Sequence, residues 1–318
     1  MSHFKAMNTS FHTHGLTADI DEQAERWFHF VEMELSRFNL DSGLMRLNQS
    51  PGKPVTVSPL LFEVLNEADK YYTETGGLFN PFMGNILASA GYRVSFEQIS
   101  SSKLTEEEST LSEAEPGISS IPSSIMRLNR NPDTVLLSPG YSVDLGGIAK
   151  GWSAEKFSLK LQQQGIESGV IDAGGDVILW GDAIRIIDVA SPFIPGDDLA
   201  AIRIRTGAGI ATSSSIKRSW IHADGSTRHH IMDPRTLQSS ASDLVQVTAI
   251  CPTLVQAEVY AKCLLILGTE QGIPWLEKNY PDCAAIAVKA DGTVIPIGVI
   301  ECILAKQQGG GVHATVAK

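Results

Sequence analysis

No stretch of this sequence approaches the roughly 20 consecutive apolar residues that a membrane-spanning helix needs, so no membrane insertion is expected. The first residues, MSHFKAMNTSFHTHGL, lack both the apolar run of a secretory signal and a lipid-attachment cysteine. A cytoplasmic location is the expectation. Cysteine is scarce. Cys251, Cys263, Cys283 and Cys302 are the only four, and none forms a CxxC pair. They read as free thiols in the core or at the surface, and a reducing compartment follows. An excess of positive charge is also missing. Lysine and arginine number 25 against 36 aspartates and glutamates, a net charge of −11. Such a surface repels nucleic acid and anionic membrane, so any phosphate must be held by a local cluster of donors and cations. Internal repeats and the GxxxxGK[ST] phosphate loop are absent too.

What is present is a chain of 318 residues, 43% hydrophobic, enough to bury a core in one large domain or two tightly joined lobes. Phe4–Phe11 reads as a first strand. Trp27, Phe28, Val31, Leu35 and Phe38 recur at helical spacing and predict a helix over Asp21–Phe38, capped by Asp19 or Asp21. A second helix runs over Ser58–Glu74, with Ser58 as cap, Pro59 in the first turn and Gly76-Gly77 at the end. Residues 98–132 are rich in Ser, Glu and Pro and read as a variable surface excursion. Val135–Val143 is a predicted strand and Ala149–Gln164 a helix. Short strands at Val170–Asp172 and Val177–Trp180 flank Gly174-Gly175. Extended segments follow at Ile184–Val189, Ala201–Ile204, Ser219–His222 and Val245–Ile250. Thr253–Leu267 is a helix closed by Gly268. Ala284–Val288 and Thr293–Ile297 form a hairpin around Ala290-Asp291-Gly292. The segment 307–318 reads as a flexible tail, leaving 1–306 as a single domain. Several adjacent strand pairs favour an α+β fold over a doubly wound parallel sheet.

Five segments can carry chemistry. In Asp144-Leu145-Gly146-Gly147-Ile148-Ala149-Lys150-Gly151, glycines between a strand and a helix let backbone approach a ligand closely, and the helix start offers N–H groups to an anion. Lys150 in the first turn opposes the helix dipole, which suggests an anionic partner. Asp172 and Asp176 bracket the Gly174-Gly175 turn, whose amides or carboxylates can meet a ligand. Gly207–Ser215 is a small-residue, hydroxyl-rich loop; without a βαβ context it is no dinucleotide-binding fingerprint. His230, Asp233 and Arg235 crowd a turn in which histidine can move a proton and arginine can grip phosphate. Glu258 and Lys262 lie four apart on one helix face.

In this order, the segments resemble the ApbE family of FAD:protein FMN transferases. Ala6-Met7-Asn8-Thr9 is similar to the family's Met-Gly-Thr. Leu35-Ser36-Arg37-Phe38, with Ser42 and Asn48, continues the likeness, as does Gly76-Gly77-Leu78-Phe79-Asn80-Pro81. Asp144–Gly151 matches Asp-Leu-Gly-Gly-Ile-Ala-Lys-Gly, Gly174–Asp176 matches Gly-Gly-Asp, Ala211–Ser213 matches Ala-Thr-Ser, and His230–Thr236 matches His-Ile-x-Asp-Pro-Arg-Thr.

The resemblance implies mixed or antiparallel sheets with flanking helices and an FAD cleft between two lobes. It implies cleavage of FAD, attachment of FMN by a phosphoester to a Thr or Ser of a target flavoprotein, release of AMP, and use of Mg²⁺. FAD binding or FAD hydrolysis on the same fold is the alternative. It assigns His230 and Lys150 to catalysis, and Asp144, Lys150, Ser213, His230 and Leu35 to FAD. Asn80, Gly174, Gly175, Asp176, Asp233 and Arg235 fall in the same cleft by their motifs. The Gly147 carbonyl and Glu258 stand where metal ligands are expected. Where the family carries a metal-binding Thr this chain has Lys262, whose ammonium is expected to replace part of the metal's charge. Ser214 and Leu237 also stand where the family has glycine.

Overall fold

The computed structural model describes residues 2–92, 94, 125–205, 207–221, 226–300 and 302–304. Its centre is an eight-stranded sheet. The strands are β1 (Ser2–Ala6), β2 (Thr9–His14), β3 (Gly169–Ala173), β4 (Val177–Trp180), β5 (Ala208–Ser214), β6 (Leu244–Cys251), β7 (Ala284–Lys289) and β8 (Val294–Ile297), adjacent in that order. Every pairing between them is antiparallel. Six helices accompany it among the described residues: α1 (Ala18–Leu35), α2 (Gly43–Asn48), α3 (Pro59–Glu74), α4 (Gly84–Ser89), α5 (Ala149–Gln163) and α6 (Leu254–Asn279). This is the expected α+β class.

Period-two alternation splits the sheet's side chains between two cores. On β3, Ile171 and Ala173 face the helical side, where they join Phe28, Phe157 and Leu254. Val170 faces the other side, with Val177, Leu179 and Ile210, under a three-stranded sheet made of 185–190, 198–204 and 302–304. The helices bring the binding segments to one end of the sheet. Leu61, Val64, Leu65 and Ala68 form the buried stripe of α3. Its first turn is closed as expected, with the Leu61 amide donating to Ser58 Oγ at 3.2 Å.

Several expectations are corrected. The first strand is two, because Met7 and Asn8 adopt φ of 51° and 55° and close a two-residue hairpin. Helix α1 starts after Thr17 and stops at Leu35, since Ser36 is extended; Asp19 and Asp21 sit in its first turn, and Phe38 lies beyond it. The Val135–Val143 strand ends at Leu137, where Pro139 cannot donate to a ladder and Gly140 takes φ of 88°. Gly207–Ser215 is not a loop: Ala208–Ser214 is β5, paired on both sides. The surface excursion is too long at its C-terminal end, because Met126–Asn129 pairs with Thr134–Leu137 and buries Ile125 and Met126. The rest of that excursion, 98–124, lies outside the described residues, as does the tail 307–318. Gly268 does end a helix, with φ of 73°, but a further helical stretch containing Pro274 follows directly.

The reading of the thiols is overturned for two of them. The register that pairs Ile250 with Ala284 brings Cys251 and Cys283 together, and they form a disulfide with Cα atoms 4.4 Å apart. Cys263 is free and buried. The inference of a reducing compartment loses its basis. Among the described residues no helix is long and apolar enough to cross a membrane.

Candidate active site

The Asp144–Lys150 segment forms the hub of the site. Its chain is fixed first by backbone: the Asp144 amide donates to the Pro81 carbonyl at 2.8 Å, and Asn48 holds Val143 through both its amide and its carbonyl. The Asp144 carboxylate then receives the Gly146 amide at 2.6 Å and the Arg37 guanidinium at 2.8 Å. Arg37 lies over the rings of Phe38 and Tyr92, at 4.3 and 4.5 Å from their centroids. Tyr92 stacks on Trp220.

Lys150, in the first turn of α5, donates to Asp176 and, at 2.9 Å, to Glu258 on α6. The second Glu258 oxygen accepts the Gly151 amide at 2.8 Å. Burial alone would lower the Lys150 ammonium, but the two carboxylates hold it above its ordinary value. Burial raises the Glu258 carboxyl against the pull of Lys150, and Asp176 adds to the rise. Asp176 also accepts from the Thr212 amide at 3.3 Å, which ties the β3–β4 turn to β5. Gly174 and Gly175 make that turn at φ of 74° and 95°, closed by the Gly175 amide on Asp172.

Two cavities open on these residues. One is lined by Leu35, Phe38, Phe79, Asn80, Tyr92 and Asp144 among others. The second runs along Gly174–Asp176, Ile186–Ala190 and Ile210–Ser214, including Ser213. Gly146, Gly147, Lys150, Arg218, His230 and Lys262 border both, so the two are chambers of one cleft with cations at the waist. His230 Nδ1 lies 3.4 Å from the Arg218 carbonyl. A carbonyl only accepts, so Nδ1 carries the proton and Nε2 keeps its lone pair. Burial, then Arg218 and Lys262, push the His230 imidazole well below 6.5, leaving it neutral at neutral pH. Burial also lowers Lys262, against the pull of Glu258 and Asp144.

The cleft thus gathers Leu35, Asn80, Asp144, Gly147, Lys150, Gly174, Gly175, Asp176, Ser213, His230, Glu258 and Lys262. Asp233 and Arg235 do not join it. Arg235 forks onto the Asp233 carboxylate at 2.9 and 2.7 Å and reaches toward Gln271 on α6, so this arginine is spent on closing its own turn. The sequence reading missed Arg218 and Tyr92. Arg218 follows the Gly207–Ser215 segment by three residues, but nothing in its own sequence context marks it or Tyr92 as facing a ligand.

The family model for the ApbE family matches residues 7–287. The chain belongs to the ApbE family. An FAD:protein FMN transferase of Klebsiella pneumoniae is 27% identical over 256 residues, spanning 80% of this chain and 77% of that protein. One of Treponema pallidum is 27% identical over 289 residues, spanning 83% and 75%. The ApbE protein of Thermotoga maritima shares the fold with a TM-score of 0.79 at 21% identity, covering 93% of this chain and 96% of its own. The flavin transferase ApbE of Vibrio cholerae does so with a TM-score of 0.71 at 23% identity and the same coverage.

The family resemblance implies a magnesium ion between Gly147 and Glu258, and the residues present do not fit one. Both Glu258 oxygens are engaged, by Lys150 and by the Gly151 amide. The Lys262 ammonium stands against Gly147, where even a Cβ would collide with it. No group of three or more His, Cys, Asp or Glu side chains able to hold a metal occurs among the described residues.

Proposed function

We propose that this chain is an FAD:protein FMN transferase, which cleaves FAD and attaches FMN to a Thr or Ser of a target flavoprotein. The observation that carries the reading is the cleft itself. Its cationic waist, bordered by Lys150, Arg218 and Lys262, joins a chamber lined partly by aromatic rings to one lined by backbone and hydroxyls. FAD has the same order of chemistry: a flavin, a doubly charged pyrophosphate, and an adenosine.

In the transfer step the target hydroxyl oxygen bonds to the flavin-side phosphorus. The bond from that phosphorus to the bridging oxygen breaks, and AMP leaves with the electron pair. The hydroxyl proton passes to Nε2 of His230, whose neutral imidazole is ready to accept it. Lys262 and Arg218 face the negative charge that grows on the leaving oxygen. Lys150 is held by its two carboxylates, and its role is to set the shape of the waist.

Incubation with FAD and candidate flavoproteins tests the reading. Mass spectrometry should show an FMN increment on a Thr or Ser of the target, with AMP released in equal amount. AMP without that increment would instead support FAD hydrolysis.

A further inference from the structure

We propose that the Lys262 ammonium occupies the working position of a divalent cation, so that this chain binds the FAD pyrophosphate without magnesium. The inference rests on the FAD reading above and concerns what neutralises the phosphates.

Lys262 is half-buried on α6 and borders both chambers of the cleft. Its ammonium makes no hydrogen bond or ion pair with any described residue. The nearby carboxylates do not compensate for this. Glu258 is held by Lys150 and the Gly151 amide, and Asp144 by Arg37 and the Gly146 amide. A desolvated ammonium without an ionic partner is costly, and such groups persist where an anion completes them. Neutral His230 beside it supplies no negative charge. The remaining face of Lys262 points into the waist of the cleft, where Arg218 adds a second cation. Lys262 is also pressed against Gly147, which lacks the side chain that would exclude it. An ion of charge +2 at this place would be set against a fixed ammonium and would have to compete with Lys150, Arg37 and two backbone amides for the Glu258 and Asp144 oxygens.

The test is FAD affinity, followed by flavin fluorescence, for the intact chain in chelator and in excess magnesium. Wild type should bind FAD equally in both. Lys262→Met should weaken FAD by about tenfold or more while leaving riboflavin, which has no phosphate, unaffected. Lys262→Arg should retain most of the affinity. Lys262→Met should melt no lower than wild type, because it removes a partly desolvated ammonium that makes no hydrogen bond or ion pair with a described residue, so a binding loss cannot be ascribed to misfolding. Wild-type FAD binding that needs magnesium, or equal FAD affinity in Lys262→Met, would overturn the inference. Failure of FMN transfer would overturn the transferase reading and leave this binding result standing. Failure of wild type to bind FAD would overturn both.

Discussion

Lys150 on α5 and Glu258 on α6 meet at 2.9 Å, and this contact fastens the glycine loop to the far helix. Asp176 shares the same ammonium, so one cation serves two buried carboxylates from distant parts of the chain. Lys150→Met would leave those carboxylates facing each other without compensation. The expected loss is about 3–5 kcal/mol in urea unfolding, as for other broken buried pairs. A loss below about 1 kcal/mol would show that the triad is not the clasp it looks like. The folded-state value of Lys150 lies above 10.5. Its contribution is therefore complete below pH 10.5 and disappears as pH rises through the folded-state value.

His230 should give the acid limb of the rate profile. Its folded value lies well below 6.5, so kcat/KM for FAD should stay level from pH 7 down through 6.5 before falling. Its effect on stability has the same sense. The unfolded state takes up the proton first, so the folded state loses ground as pH drops below 6.5. His230→Asn should abolish the limb and reduce kcat by roughly 10²-fold or more, with a smaller change in FAD affinity. Equal losses in both would reduce His230 to a binding residue.

Arg235 should matter to folding and not to flavin. Its fork holds the Asp233 carboxyl below 3.8. That stabilisation is present above pH 3.8 and is lost as pH falls through the folded value. Arg235→Gln should make the protein more sensitive to acid unfolding while FAD titrations stay unchanged. A large loss of FAD affinity would place Arg235 in the cleft after all.

Gly209 on β5 lies so close to α6 that a Cβ would collide with the backbone of Thr253 and Leu254. Backbone cannot swing aside as a side chain can. Gly209→Ala should cost about 1–3 kcal/mol, read as a shift in the urea midpoint.

The Cys251–Cys283 disulfide predicts a labelling pattern. Unfolded without reductant, the chain should take an alkylating reagent at Cys263 and Cys302 and not at Cys251 or Cys283. The bridge closes a loop with a sequence separation of 32. Reduction should therefore lower stability by about 3–4 kcal/mol in the chain-entropy account. Labelling of Cys251 and Cys283 before reduction would refute the bridge.

The legible parts of this molecule are those whose causes are local. Ser58 and Pro59 start α3 because a hydroxyl cap and a fixed φ act within one turn. Asp144–Lys150 reads as a ligand loop because its glycines directly precede a helix start, although the strand expected before it ends at Leu137. The reading failed where partners decide. Ala208–Ser214 has the composition of a loop and becomes a central strand because β4 and β6 pair with it on either side. Arg235 was expected to hold phosphate, but Asp233, two residues away, took its donors.

The sequence alone determined the α+β class, the family through its ordered motifs, and the substitution of lysine at position 262. Each is carried by residue identity and short spacing, which need no third dimension. Tertiary structure alone decided that Lys150 is committed to Asp176 and Glu258, that Lys262 makes no hydrogen bond or ion pair among the described residues and lies 5.9 Å from the Phe79 ring centroid, and that Arg218 faces the same waist. Charges interact through space over a few ångströms, and Lys150 and Glu258, which meet here, lie 108 positions apart in the chain.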